Sequence, residues 1–352
     1  MPLPSKYTTT ALGVKMHIRL QNRYTRKYLV SRFLSLFGVL VVVLILNFLL
    51  PHLMPGSFVE TYADIIVQQT HRPFAQVLAN LEKNPWFRPQ PLPAAFVVYI
   101  KEALFTFPPN FGPSFEYYPL PAWTIVFDAL KWTMLLLGLS QIIAWSASIF
   151  VGVYLALHKN KFIDRILQPQ FYFLNSIPVF WLALMFIFVF ALGYPFKILP
   201  AVGAYDVLPT LPSVLWHLTL PLLVIILVSL PSHVMVIRSA AIDVIGSDFV
   251  QAAKAQGLSS RRIVMRVLRN SLIPSLTQVF LSVGYLIGGV LVVELAFSYP
   301  GIGTVVENAV LYQDYPVAEA VFYVITLVVL LSNLAADLLY PLIDPRVSYA
   351  AD

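Results

Sequence analysis

The chain has 352 residues, of which 59% are hydrophobic and 11% are charged, and its mean hydropathy is +0.77. Soluble domains average about 25% charged residues and about 45–50% apolar residues, so this composition excludes a water-soluble globular enzyme and a disordered chain. The absence of cysteine excludes disulfides and thiolate metal sites, and the net charge of +6 is better explained by membrane topology than by nucleic-acid binding.

The N-terminal segment, residues 1–32, is basic. Lys15, Arg19, Arg23 and Arg26 recur at helical spacing along it. This spacing predicts an interfacial helix that leads into the membrane. A solvated basic tail would account for the same residues.

Six long apolar segments follow, and each can cross a hydrocarbon core about 30 Å thick as a helix. They are continuous runs rather than alternating ones, which argues against a β-barrel. We therefore predict an all-α membrane protein with six transmembrane helices. The predicted spans are residues 33–50, 132–157, 166–196, 211–237, 270–293 and 320–343.

The basic residues predict the orientation of these spans. If the N-terminus is cytoplasmic, 17 of the 23 Lys and Arg residues fall on the cytoplasmic side. The opposite orientation would place those 17 outside, against the positive-inside rule. Both termini are thus predicted to be cytoplasmic, together with a short tail at residues 344–352.

A long segment, residues 51–131, joins the first two predicted spans on the outer side and is rich in proline and aromatic residues. A connection of this length is usually functional or holds its own small structure. A short surface helix is predicted at residues 96–107. The segment could bind a partner on the outer side or stiffen the bundle, and the sequence favours neither role. The remaining five spans form a predicted core at residues 132–343.

A cytoplasmic loop within this core, residues 238–273, carries the strongest local pattern. Asp248 is predicted to cap a short helix with Gln251 three residues on, and Gly257 to close it with a left-handed residue. Three alanines make the helix narrow enough for another surface to approach closely. The pattern favours a rigid docking element, although a polar connector would also be capped.

The same loop resembles a known family. Gln251, Ala252, Ala253 and Gly257 are similar to the EAA loop of ABC importer permeases, with Gln251 where that motif usually has Glu. Residues 268–274 resemble the longer form of the loop in dipeptide, oligopeptide and nickel permeases. Residues 176–182, 199–203, 294–303, 314–316, 337–340 and 344–346 resemble further motifs of that group.

The resemblance implies a type I ABC importer permease fold and a division of labour. A second homologous permease subunit would pair with this chain, two cytoplasmic ATPases would bind ATP and Mg, and an extracytoplasmic binding protein would deliver substrate. No G-x-x-x-x-G-K-[ST] motif occurs, so no catalytic residue and no cofactor are expected in this chain. The resemblance implies ATPase coupling through Asp248, Gln251, Ala252, Ala253, Ala255, Gly257, Leu258, Arg261 and Arg262.

Two further sets of residues are predicted for transport. The fifth span is expected to line the passage, although plain helix packing would explain its small residues equally well. An outer gate loop is expected just beyond it. The pathway residues would be Gln278, Ser282, Gly284, Tyr285 and Gly288, and the gate residues Tyr299, Pro300, Gly301 and Gly303.

Alternatives to an importer subunit require features that the sequence lacks. A stand-alone secondary transporter predicts several ionisable groups inside the spans or an internal repeat. Asp337 is the only acid inside a predicted span, and a structural hydrogen-bonded role is expected for it. The histidines lack metal-ligand spacing, so no metal site is expected. The predicted substrate is an oligopeptide, with an oligosaccharide as the alternative.

Overall fold

The computed structural model describes residues 11–53, 58–83, 87–88, 90–193 and 198–343, and these ranges contain helices and connecting turns but no β-strand. The predicted basic stripe of residues 1–32 and the tail at 344–352 lie largely outside the described residues or side chains. The helices are α1 (Ala11–His52), α2 (Phe58–Thr70), α3 (Phe74–Leu81), α4 (Leu92–Phe105), α5 (Ala122–Leu157), α6 (Phe162–Ser176), α7 (Val179–Phe186), α8 (Leu211–Gly246), α9 (Asp248–Ala255), α10 (Ser260–Ala296), α11 (Ile302–Leu311) and α12 (Tyr315–Ile343).

Among the described residues, four helices are long and apolar enough to cross a membrane: α1, over Val30–Leu50, α5, α8 and α12. All four extend beyond the apolar runs that predict them. The predicted fifth span lies inside α10, whose side chains at residues 273–280 are outside the described set.

The predicted third span, residues 166–196, is not one straight helix. It breaks between Ser176 and Val179 into α6 and α7, and α7 continues as a π-helical turn over Ile187–Leu192. The two parts meet at 99°, so they form a bent fifth candidate span. The break follows from Pro178, which cannot donate a backbone hydrogen bond and holds Ile177 in an extended conformation.

Packing between α5 and α8 is the most extensive in the bundle. Gly152 on α5 allows this close approach, because a Cβ atom there would lie 2.8 Å from Cγ2 of Ile237 on α8. One apolar cluster joins α5 to α7, α8 and α10. A second cluster joins α1, α4, α5, α11 and α12. We call the end of the bundle near Asp248–Ala255 the α9 end and the end near Ile302–Leu311 the α11 end.

The α11 end carries a cover built from residues of the predicted outer segment. The helix predicted at residues 96–107 is present as α4, and it packs against α1 and α12. The Tyr323 hydroxyl donates a 2.9 Å hydrogen bond to the Ala103 carbonyl. Farther along, the Ser114 hydroxyl and the Glu116 amide donate to the buried Asp314 carboxylate. Burial raises the pKa of the Asp314 carboxyl, and these hydrogen bonds oppose the rise.

Asp337 makes the structural hydrogen bond that the sequence predicts. Arg32 on α1 donates through Nε and Nη2 to the two carboxylate oxygens of Asp337 on α12, and the Nη2–Oδ1 distance is 2.8 Å. This bidentate ion pair joins the first and last helices of the bundle. The Asp337 carboxylate therefore has a charged partner on another helix.

Candidate functional site

The candidate site is the short helix α9, which lies between α8 and α10 in the chain. Its N-cap is Ser247 and not Asp248, which corrects the prediction from the sequence. The backbone of Ser247 is extended, and its carbonyl accepts from the Val250 and Gln251 amides. Asp248 instead occupies the first helical position, where a carboxylate complements the helix dipole. The Gln251 side chain reaches back and donates to the Gly246 carbonyl at 3.2 Å, so the predicted reciprocal capping box is absent here.

The C-terminus of α9 closes as predicted. Gly257 has a φ of 72°, in the left-handed region that favours glycine. Its amide donates to the Lys254 carbonyl at 3.0 Å, and the Leu258 amide donates to the Ala253 carbonyl at 3.1 Å. These two bonds form a Schellman motif. The helix is therefore short and firmly terminated.

One face of α9 is buried and the other is exposed. Val250 and Ala253 are 1% and 2% exposed and pack in a cluster with Val153, Ile237 and Val267. Of the predicted coupling residues, Ala253 therefore anchors the helix to the bundle. The exposed ones are Asp248, Gln251, Ala252, Ala255, Gly257, Arg261 and Arg262, while Leu258 is half-buried.

The helix that leads into α9 carries a buried ion pair that no sequence motif predicted. Arg238 on α8 donates from Nε and Nη2 to the two carboxylate oxygens of Asp164 on α6, at 2.7 and 2.8 Å. The Asn160 amide adds a third hydrogen bond at 2.9 Å. Asp164 is fully buried and the Arg238 side chain is 12% exposed. The pair joins the helix that leads into α9 to the first half of the bent candidate span.

At the opposite end, the predicted gate residues form a packed turn around Glu294. The Gly303 amide donates to Glu294 Oε2 at 2.7 Å, while Oε1 has no hydrogen-bond partner in the described part of the chain. A Cβ atom on Gly301 would lie 2.1 Å from Oε1, so only glycine fits there. Tyr299 is fully buried, whereas Pro300 is exposed.

This turn is also attached to α5. The Ile302 amide donates to the Thr133 hydroxyl at 2.8 Å. The Tyr299 ring packs edge-on against Trp132, with ring centroids 5.8 Å apart. The predicted gate loop is therefore a buried junction between α10, α11 and α5. The sequence signal for it was the paired glycines, and the role of Glu294 was not predicted.

The predicted pathway residues are only partly described. Gln278 and Tyr285 have side chains outside the described set, Ser282 and Gly284 are half-buried, and Gly288 is exposed. A Cβ atom on Gly284 would lie 3.5 Å from Val329 Cγ1, which places this glycine against α12. The passage-lining role of α10 remains a prediction.

Comparison with known proteins identifies the family. A family model described as "Binding-protein-dependent transport system inner membrane component" matches residues 148–349. The probable peptide ABC transporter permease protein y4tP of Sinorhizobium fredii is 30% identical over 275 residues, which cover 78% of this chain and 86% of that protein. The oligopeptide transport system permease protein AppB of Bacillus subtilis is 31% identical over 244 residues, or 68% of this chain and 76% of that protein. The dipeptide transport system permease protein DppB of Haemophilus influenzae is 31% identical over 256 residues, which cover 67% of this chain and 72% of that protein.

The family match covers more than half of the chain and includes the end of α5 and all of α6 to α12. The long apolar helices are consistent with this family match, because several such helices are typical of a protein that crosses the cell membrane more than once. The resemblance predicted from the loop motifs is confirmed. The chain belongs to the inner-membrane permease family of binding-protein-dependent ABC transport systems.

Proposed function

We propose that this chain is one of two permease subunits of an ATP-driven importer that carries oligopeptides into the cell. It pairs with a second homologous permease, two cytoplasmic ATPases dock on the loop helices of the pair, and an extracytoplasmic binding protein delivers the substrate. ATP and Mg belong to the ATPases, and this chain contributes no catalytic residue. The observation that carries the proposal is α9, a short helix with a firm C-terminal cap and an exposed face that includes the small residues Ala252 and Ala255.

The geometry of α9 suits a mechanical connection. Val250 and Ala253 anchor one face, and the Asp164–Arg238 pair ties the preceding helix to the bent candidate span. A partner that moves α9 would therefore move α8 and α6 with it. Such a rigid-body shift, powered by ATP binding to the partner, converts an inward-open state into an outward-open one.

The proposed topology has six transmembrane helices with both termini in the cytoplasm. The support is the placement of 17 of the 23 basic residues on one side of the predicted spans. It places α9 and the start of α10 in the cytoplasm, within reach of ATPases. The α11 end then faces the binding protein.

The proposed substrate class rests on the printed names of the relatives. AppB is named for oligopeptide transport and DppB for dipeptide transport. The substrate is tested with the binding protein of the same system, because that protein presents the ligand. Tight peptide binding supports the proposal, and tight oligosaccharide binding without peptide binding contradicts it.

The assembly is tested by purifying the tagged chain from its native membrane in mild detergent. A second permease and proteins with ATPase motifs are expected to copurify. If the chain is recovered alone under conditions that preserve known complexes, the importer proposal fails and a stand-alone transporter replaces it.

The coupling role of α9 is tested by Gly257→Val. A β-branched residue is strongly disfavoured at a φ of 72°. Because the space around Gly257 is open, the substitution should disrupt the C-terminal cap of α9 without a steric clash. We expect normal insertion and loss of ATP-driven uptake. The matched control is Gly246→Val, which also meets open space but at an ordinary φ. Normal uptake by the Gly257 variant would contradict the docking role.

A further inference from the structure

The helix α4 in the outer segment is apolar on both of its faces. Its inner face packs on α1 and α12, where Tyr99 and Ala103 are buried. Its outer face carries large apolar side chains that are exposed. Val97, Phe105 and, just past the end of the helix, Phe107 are 66%, 82% and 97% exposed. A helix that is hydrophobic all round lies in a protein core or in lipid, so an apolar phase is expected against the outer face of α4.

The helix α2 belongs to the same outer segment and shows the opposite kind of surface. The exposed positions that the structure describes on α2 are Glu60, Asp64, Gln68 and Thr70, and all four are polar. Contiguous exposed apolar side chains mark contact with a membrane or a partner, whereas a polar face is that of a helix in water. Two helices of one segment therefore indicate two different surroundings.

The contacts of α4 place it level with the outer ends of two spanning helices. The Phe96 ring packs edge-on against Phe48, with ring centroids 5.2 Å apart, and Phe48 lies two residues before the end of the predicted first span. Seven residues along α4, the Ala103 carbonyl accepts its hydrogen bond from Tyr323, three residues after the predicted sixth span begins. Both contacts thus lie about 3–5 Å inside the apolar runs. The axis of α4 is therefore roughly parallel to the membrane plane, as in interfacial helices.

The backbone at the two ends of α4 also suits surroundings without water. At its N-terminus, Pro91 and Pro93 have no amide hydrogen that would need a partner. In its last turn, the Glu102 carbonyl accepts from the Asn110 amide, and the Ala103 carbonyl is paired with α12. Unpaired backbone groups are costly in lipid, and these four positions avoid that cost.

Depth and charge favour lipid over a soluble partner at this face. A binding protein approaches from the aqueous side and meets the top of the cover, whereas α4 lies beside the ends of α1 and α12. Of the two charged residues of α4, Lys101 is exposed and Glu102 is half-buried. The Glu102 carboxylate accepts a 2.9 Å hydrogen bond from the Thr106 hydroxyl. The long Lys101 side chain can reach the phosphate layer while its methylene groups stay in apolar surroundings.

We propose that α4 lies in the outer leaflet of the membrane and that its exposed face binds lipid acyl chains, with Phe105 and Phe107 as anchors. The cover at the α11 end is then held by α1 and α12 on one side and by lipid on the other. The choice of leaflet follows from the proposed topology, but the contact with lipid does not. A failure of this inference therefore leaves the importer proposal standing.

The test uses the absence of cysteine, because one introduced cysteine can carry a nitroxide label at a single site. The variants are Phe105→Cys and Val97→Cys, and the second removes little volume, so it should fold normally. The matched control is Gln68→Cys, at an exposed position of α2. The tagged chain, with whatever partners copurify, is reconstituted into vesicles of phosphatidylethanolamine and phosphatidylglycerol. The collision rates of each nitroxide with oxygen, which partitions into lipid, and with a water-soluble nickel chelate are then measured.

The ratio of oxygen to nickel collisions is expected to be severalfold higher in both α4 variants than in the α2 control. Nickel collisions as frequent in the α4 variants as in the control overturn the proposal, because α4 then faces water. Low collision rates with both reagents in the α4 variants also overturn it, because a protein partner then covers this face. If no permease or ATPase copurifies, the importer proposal fails, whereas the expected ratios stay the same.

Discussion

Two fully buried carboxylates lie near opposite ends of the bundle, and the protein stabilises them differently. Asp164, near the α9 end, receives two hydrogen bonds from the Arg238 guanidinium and one from a backbone amide. Glu294, at the α11 end, receives one amide hydrogen bond at Oε2 and presses its other oxygen against glycine. Asp164 is therefore stabilised by an opposite charge, whereas Glu294 is held mainly by close packing.

This difference corresponds to what each end must do in the proposed transport cycle. The ion pair at the α9 end joins two helices that can move together as one body while α9 stays exposed. The junction at the α11 end has no room for a side chain on Gly301 and holds α10, α11 and α5 in one arrangement. A substitution that removes charge but keeps the side-chain volume should destabilise the α9 end more than the α11 end. A substitution that adds volume but no charge should do the reverse.

The largest effect is expected from Asp164→Asn. The substitution keeps the size of the side chain but leaves the Arg238 guanidinium, which is 12% exposed, without a counter-ion. Breaking a buried ion pair by removing one partner costs about 3–5 kcal/mol. The apparent free energy of unfolding in detergent should fall by that amount. Asp243→Asn, an exposed acid on α8, is the control and should change it by less than about 0.5 kcal/mol. Equal losses of unfolding free energy in both variants would show that the buried ion pair contributes no more stability than an exposed acid.

An intermediate effect is expected from Gly301→Ala. The new methyl group would lie 2.1 Å from Glu294 Oε1, so the carboxylate and the turn must shift. Overpacking of this kind costs about 3 kcal/mol. Thermal unfolding of the purified chain measures the loss.

Gly257→Ala is the matched control for this variant. The added methyl group meets open space, and the cost is that of a positive φ alone, about 1–2 kcal/mol. If Gly257→Ala were the more destabilising of the two, the α9 end would be the sterically constrained one and the comparison would be reversed.

Features that depend on local chain chemistry could be predicted from the sequence. The long apolar runs predicted the described spanning helices, because lipid leaves the backbone few alternatives to a helix. The positive φ of Gly257 followed from its place after a short alanine-rich helix. The hydrogen-bonded role of Asp337 followed from the cost of an unpaired acid near lipid, although its partner Arg32 could not be named.

Features that depend on distant parts of the chain could not be predicted. Asp164 and Arg238 are 74 residues apart, and neither lies in a motif that points to the other. The burial of Glu294 depends on two glycines that follow it through a turn. The choice of Ser247 over Asp248 as N-cap depends on where α8 ends, because Ser247 is the single residue between α8 and α9. Tertiary packing decides each of these.

The smallest effect is expected from Glu294→Gln. The amide oxygen can still accept from the Gly303 amide, and the amide nitrogen takes the place of Oε1, which has no partner in the described residues. Burying a neutral amide costs less than burying a carboxylate, so the change should stay within about 1 kcal/mol. The same unfolding assay measures it, with Asp164→Asn alongside. Because both changes replace a carboxylate with an amide of nearly the same volume, the difference between them isolates charge. A loss as large as that of Asp164→Asn would mean that Glu294 is also held by charge, and the contrast between the two ends would disappear.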